Sequence, residues 1–334
     1  MLLARIAAIL CVVSLTMAAG PAPGGQDGDA WPVKGKLIGK TKKSGKVGTS
    51  KDVSGIACTT DTGFPRDCLV IDDNLQFAQF VTVKDGKLVA GDTIRLMRGK
   101  FEGEPLELDG EGVAFSKGFY YVIGSHGRPR GKLDPELIKA RIDASSQIIR
   151  FRAEDGTDAK IERTSNLKSM IAAEPAFDGF RDQQLENNGL TIEGIAVKDG
   201  MLFAGFRGPV LDDNKKAVVM SAPLDAFFGN AAASPSLFRL PLGEGRGVRD
   251  LASFEGGILI LAGPVKSGPG VYAIYWWDGA SENVSLLSEL TQFDPKRKPE
   301  GLLPLDKKET KLRILIIFDS DEEGAPTPVE VSAP

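Results

Sequence analysis

The sequence predicts an all-β fold, a β-propeller of five blades, and three observations lead there. The first is punctuation: 39 Gly and 20 Pro in 334 residues exceed the ~12% usual for the pair, so the chain turns often. The second is a succession of short β-branched or aromatic runs bounded by Gly, Pro, Asn or Asp, such as 68–71, 77–83, 119–123, 201–206, 258–262 and 312–318. Runs of that kind read as strands. The third is a repeat, with starts SGIA at Ser54, EGVA at Glu111, EGIA at Glu193, DLA at Asp250 and EGLL at Glu300, each followed by a very apolar strand. The spacings are 57, 82, 57 and 50 residues. Units of ~40–50 residues with four strands each are the pattern of propeller blades. Six blades result if the 120–190 region holds a degenerate one, and a pair of β-sandwiches is the competing arrangement.

The elements follow in chain order. Residues 1–20 carry Arg5, an apolar run over 6–15 and small residues at Ala18, Ala19 and Gly20, which predicts a cleaved secretory signal. The run is shorter than the ~20 residues that span a bilayer. The mature protein is therefore expected to be periplasmic or secreted, with no transmembrane segment after signal cleavage. Residues 21–31, rich in Gly, Pro and Asp, read as a flexible tether, and 32–334 as a single propeller domain. The segment WPVKGKLIGK at 31–40 is a strand with no unit of its own, while the fifth unit is short of strands. Pairing N- and C-terminal strands would close the ring and remove an exposed edge. Cys58 and Cys68 flank the turn DTGFPRD. In an oxidising compartment this pair predicts a disulfide, with two buried thiols as the alternative. The 82-residue interval contains helical patterns at 135–142 and 166–173, read as a partly helical insertion around 130–180.

Charge and composition exclude several classes. With 41 Lys+Arg against 45 Asp+Glu, the chain lacks the basic balance of a nucleic-acid binder. A single histidine, His126, excludes a multi-histidine zinc centre. No GxSxG elbow occurs, which removes an ordinary α/β-hydrolase.

Propeller geometry locates a site. The start of each blade's first strand and the end of its second meet on one face, at the mouth of the central channel. That face gathers Ser54, Glu111, Glu193, Asp250 and Glu300 with the strand-end residues Asp72, Asp73, Ser125, His126, Arg128, Arg207 and Asp319. His126, Glu193 and Asp250 are the candidate catalytic acids and bases; an imidazole has a reference pKa near 6.5. Ser125, Arg128, Arg207, Arg246 and Arg249 are the candidate ligand contacts, since arginines hold carboxylate or phosphate in bidentate fashion. Crowded carboxylates repel unless cations compensate them. Glu111, Glu300 and Asp319 are accordingly the candidate ligands of Ca²⁺ or Mg²⁺, which prefer oxygen. The plainer alternative is a structural ring of ion pairs.

The strings YVIGSHGR, LTIEGIAV with LFAGFRGP, RGVRDLA with ILILAGP, and PEGLL resemble an uncharacterised bacterial family, domain of unknown function 3616, over about residues 50–320. The resemblance implies a propeller-like fold and no established activity. The acidic-Gly-apolar-Ala strand starts are more distantly similar to the esterase-like phytase domain, which would imply ester or phosphoester hydrolysis. Two functions are carried forward. One is binding of an anionic small molecule or metal at the channel mouth, with or without hydrolysis. The other is a non-catalytic cell-envelope module that holds a protein or glycan.

Overall fold

A computed structural model describes residues 26–334 except 42–43, 230 and 232–233. The predicted signal, and the tether up to residue 25, lie outside the described residues. Five sheets, each built on four antiparallel strands, form the blades, and that of blade 1 carries a fifth, parallel edge strand. Their first strands are Val53–Cys58, Gly110–Ser116, Thr191–Lys198, Arg246–Phe254 and Lys298–Lys308. Each packs against the next, and that of blade 5 returns to that of blade 1. The ring is closed, and the protein is a five-bladed β-propeller.

Apolar alternation explains why the sheets stack. In each blade one face turns to the previous blade and the other to the next, so both must be apolar. Five large apolar clusters among the described residues fill the five interfaces. Trp277 shows the logic. It is fully buried on the third strand of blade 4, and its ring meets Phe203 and Phe238 of blade 3 at centroid distances of 5.6 and 4.9 Å. Burying a side chain of that size contributes about 3 kcal/mol.

Closure uses a different segment from the one the sequence indicates. Gln26–Asp27 pairs with Thr327–Ser332 and supplies the fourth strand of blade 5. Backbone bonds from Gly28 to Pro328 and from Trp31 to Pro326 extend the contact, and Trp31 is buried in the apolar cluster between blades 5 and 1. Residues 26–31 are thus part of the ring. Val33–Lys34, from the segment expected to close it, instead lies parallel to Lys87–Arg95 on the outer edge of blade 1. Short runs give periodicity no way to choose between two outer edges.

Region 120–190 holds the outer strands of blade 2, Ile148–Arg152 and Glu162–Thr164, and no sixth blade. Helix α1, Pro135–Ser145, lies within this blade, between its second and third strands. It starts where Asp134 accepts from the backbone N–H groups of Glu136 and Leu137 and Pro135 takes the first turn, a combination suited to a helix start. Helix α2, Asn166–Ala173, follows the fourth strand. Cys58 and Cys68 are joined by a disulfide and face each other across the first two strands of blade 1. Among the described residues no helix is long and apolar enough to cross a membrane.

Candidate functional site

A β-bulge recurs in the first strand of every blade, where register skips one residue. The skipped residues are Ser54, Glu111, Glu193, Arg249 and Glu300. A bulge re-aims the side chain of its extra residue. Five blades thereby place five polar side chains in equivalent ring positions. The next residue is Gly in four blades, and the approach there is close. A Cβ on Gly55 would stand 2.9 Å from the Cα of Gly112, and one on Gly194 would stand 2.9 Å from the backbone nitrogen of Leu251.

Blade 4 breaks the pattern and corrects the sequence alignment by one residue. Its ring member is Arg249, and Asp250 takes the glycine position. The Asp250 carboxylate accepts from the backbone N–H of Leu251 and from that of Leu302 in blade 5, both at 2.8 Å. It is 1% exposed and stitches two blades together, so it is no candidate for catalysis. Arg249 is equally buried. It pairs with Glu193 at 3.0 Å on one side and with Glu300 on the other.

Above this ring opens a funnel of about 280 Å³. Its carboxylates are Asp73, Glu107, Asp109, Glu111, Glu193, Glu300 and Asp319. Four of them have cation partners in direct contact, Glu107 with Lys40 at 2.7 Å among them. Glu193 pairs with Arg207 at 2.8 Å as well as with Arg249, Glu300 pairs with Arg249, and Asp319 pairs with Lys298 at 2.8 Å. Asp109 accepts a hydrogen bond from the Ser125 hydroxyl. Glu111 has no hydrogen-bond or ion-pair partner among the described residues.

This crowding sets the proton affinities. Burial pushes the Asp73 carboxyl up to about 9, reinforced by Asp109, Asp72 and Glu300. Burial holds Glu111 well above the usual carboxylate range, with Glu193 and Asp109 adding repulsion. Glu300 is pushed up to about 8, again chiefly by burial, with Arg249 opposing the rise. A site whose carboxyls include some with strongly raised proton affinity beside others held in ion pairs has the parts for proton transfer.

The other expected site residues separate. Ser125, Arg128 and Arg207 line the funnel. Arg246 does not; it donates to Glu289 and to the Tyr275 hydroxyl within its own blade. His126 is buried and does not line the funnel. Its backbone φ of 55° reverses the chain, and its Nδ1 sits 2.8 Å from the carbonyl of Gly124. Burial pulls its pKa down to about 4, which suits a neutral packing role. Of the expected metal ligands, Glu300 and Asp319 are engaged by cationic side chains and only Glu111 is free. A second acidic group shares Asp73 with the funnel: Asp52, Asp72 and Asp73 have carboxylate oxygens within 4.8 Å of one another. Its Asp72 is already bound by the Ser50 hydroxyl and the Asn74 backbone N–H.

Five charged funnel residues escaped the sequence reading: Glu107, Asp109, Arg130, Arg141 and Lys298. Asp109 and Lys298 each precede a ring residue by two positions, the same-face spacing of a strand, so a signal existed. Arg141 lies on α1, whose docking over the funnel nothing in the local sequence encodes.

The molecule is thus a five-bladed propeller with a carboxylate-lined funnel at one mouth. The chain belongs to the family described as protein of unknown function (DUF3616), whose model matches residues 152–330. That stretch covers blades 3 to 5 and includes Glu193, Arg207, Arg249 and Glu300. No curated protein matches the sequence. Among solved structures the chain is similar to an exo-β-1,3-galactanase from Phanerochaete chrysosporium with galactose, at 11% identity and a TM-score of 0.48, covering 92% of this chain and 64% of that one. It therefore spans less than two thirds of the galactanase's length. It is also similar to a family 117 glycoside hydrolase from Zobellia galactanivorans (11% identity, TM-score 0.44, 92% and 90% covered). A third is an endo-arabinanase from Bacillus licheniformis (11%, 0.38, 90% and 96%). The fold itself stands on the five sheets of this chain.

Proposed function

We propose that the funnel is the acid–base site of a hydrolase acting on a polyhydroxylated, carbohydrate-like substrate. One observation carries the reading: Glu111, without a partner among the described residues and with its carboxyl held well above the usual range by burial, shares the funnel with Glu193, which is paired with Arg207 and Arg249. Acetal hydrolysis needs such a pair, one carboxyl to donate and one carboxylate to stabilise positive charge. Glu111 would give its proton to the departing oxygen as the C–O bond breaks. Water would add to the anomeric carbon and lose its proton to a funnel carboxylate. Ester hydrolysis is less well supported. Ser125 is tied to Asp109, and His126 lies outside the funnel. The arginines expected to hold an anion on the floor, Arg207 and Arg249, are engaged by Glu193 and Glu300.

We place this activity outside the cytoplasm. The signal-like residues 1–20 and the Cys58–Cys68 disulfide support that location. The hydrolytic reading is tested by thermal melting with a panel of neutral oligosaccharides. A ligand that binds only the folded state raises stability. A shift present in the native protein and absent from Glu111→Gln supports the site. A shift of equal size in Glu111→Gln, or none with any sugar, removes it.

A further inference from the structure

Among the described residues, two guanidiniums of the funnel have no hydrogen-bond or ion-pair partner. Arg128 and Arg141 line the same cavity as the carboxylates, both are half-buried, and neither makes a hydrogen bond or ion pair among the described residues. The contrast with their neighbours is informative. Arg207 reaches Glu193 at 2.8 Å, and Arg130, exposed on the rim, reaches Glu186 at 3.1 Å. Among the described residues, Arg128 and Arg141 remain unpaired in a cavity lined by seven carboxylates.

The backbone that presents Arg128 is fixed. The Ser125 N–H donates to the Asp109 carbonyl, and the Ile192 N–H to the Ser125 carbonyl, each at 2.8 Å. The Gly127 N–H donates to the Ser125 hydroxyl at 3.2 Å. The Gln184 side-chain amide donates to the carbonyls of Pro129 and Gly131 at 3.2 and 2.9 Å. Gly127 lets the turn lie against blade 3, where a Cβ would stand 2.9 Å from the Thr191 hydroxyl. The positive φ of His126 makes the reversal that leaves its ring outside the cavity while Arg128 lines it. With the backbone fixed, the freedom lost on binding is confined to the Arg128 side chain.

We propose that Arg128 and Arg141 form an anion subsite, and that the substrate is a glycan bearing an acidic group, a carboxylate or a sulfate. The subsite rests on the hydrolase reading above and adds the substrate class to it. A half-buried, unpaired cation has lost part of its hydration and gains most from a partner carried in by the ligand. The neutral part of the glycan would face Glu111 and Glu193, and its acid would face the blade 2 side of the mouth.

The experiment is calorimetric binding at low salt with four probes in two pairs: an oligogalacturonate and its methyl ester, and a sulfated galacto-oligosaccharide and its unsulfated counterpart. Native protein, Arg128→Gln, Arg141→Gln and Glu111→Gln are compared, with ligand-free melting as the fold control. At least one charged probe is expected to bind roughly tenfold or more tighter than its neutral counterpart, and Arg128→Gln to abolish that difference. Which charged probe wins tells carboxylate from sulfate. If charged and neutral forms bind alike and only Glu111→Gln weakens them, the anion subsite falls and the hydrolase reading stands. Equal weakening of both forms by Arg128→Gln also overturns the subsite, because the arginine then reads hydroxyls. Absence of binding by every probe overturns both.

Discussion

Arg249 of blade 4 forms an ion pair with Glu193 of blade 3 at 3.0 Å, from the ring position where blades 3 and 5 carry glutamates. One substitution in a repeated pattern thereby supplies the cation that lets two neighbouring acids be buried. Breaking a buried pair by removing one partner costs about 3–5 kcal/mol, because a charge is left uncompensated. Arg249→Met is expected to destabilise by that order in urea unfolding. The loss should be smaller at pH 5 than at pH 8, since Glu300, pushed up to about 8 by burial, then carries a proton.

Asp73 makes the opposite contribution to stability. Its folded pKa, about 9, lies far above the ~3.9 of an unfolded chain. The folded state therefore binds more protons between these values, and stability falls as pH rises through that window. Asp73→Asn removes the penalty. The variant should unfold at higher urea than the native protein at pH 8.5, by about 1 kcal/mol or more, with a flatter pH profile above pH 5.

His126 sets a limit on the acid side. Its folded pKa, about 4, lies below the ~6.5 of the unfolded state, so the unfolded chain binds more protons between the two. Stability is lost as pH falls from about 6.5 to 4. His126→Asn keeps a residue tolerant of positive φ and removes the titration. It should lessen the acid loss by about 2–3 kcal/mol while ligand binding in the funnel stays within about twofold, a change of under 0.5 kcal/mol.

Two acids from the repeat should separate by phenotype. Asp250→Ala leaves the N–H groups of Leu251 and Leu302 without their acceptor and is expected to cost about 1–3 kcal/mol. Its binding should be unaffected once the protein is folded. Glu111→Gln should melt at or above the native temperature and lose ligand binding. Paired melting and binding measurements on both variants check this contrast.

Much of this was legible in the sequence because blades repeat. The period gave the five starts, and strand geometry turned them into one face, which located Glu111, Glu193, Glu300, Arg207 and Ser125. The error at blade 4 has a physical cause. An acidic residue follows Arg249 directly, and matching charge to charge selects Asp250, whereas the bulge selects Arg249. Burial distinguishes the two roles, and burial is a property of the closed ring. His126 misled for a similar reason: a turn flanked by glycines at a channel mouth points either way, and the sign of one φ angle decides. Closure by Gln26–Asp27 rather than by 31–40 depends on which edge lies near each segment after the ring has formed.

The central claim is that the funnel carries acid–base hydrolysis, and release of reducing ends as a function of pH tests it most directly. The native protein, incubated with acidic and neutral oligosaccharides, is expected to release reducing ends with a bell-shaped profile. Glu111→Gln, with its melting temperature retained, should release none. No release by the native protein from any substrate, or undiminished release by Glu111→Gln, would contradict the account.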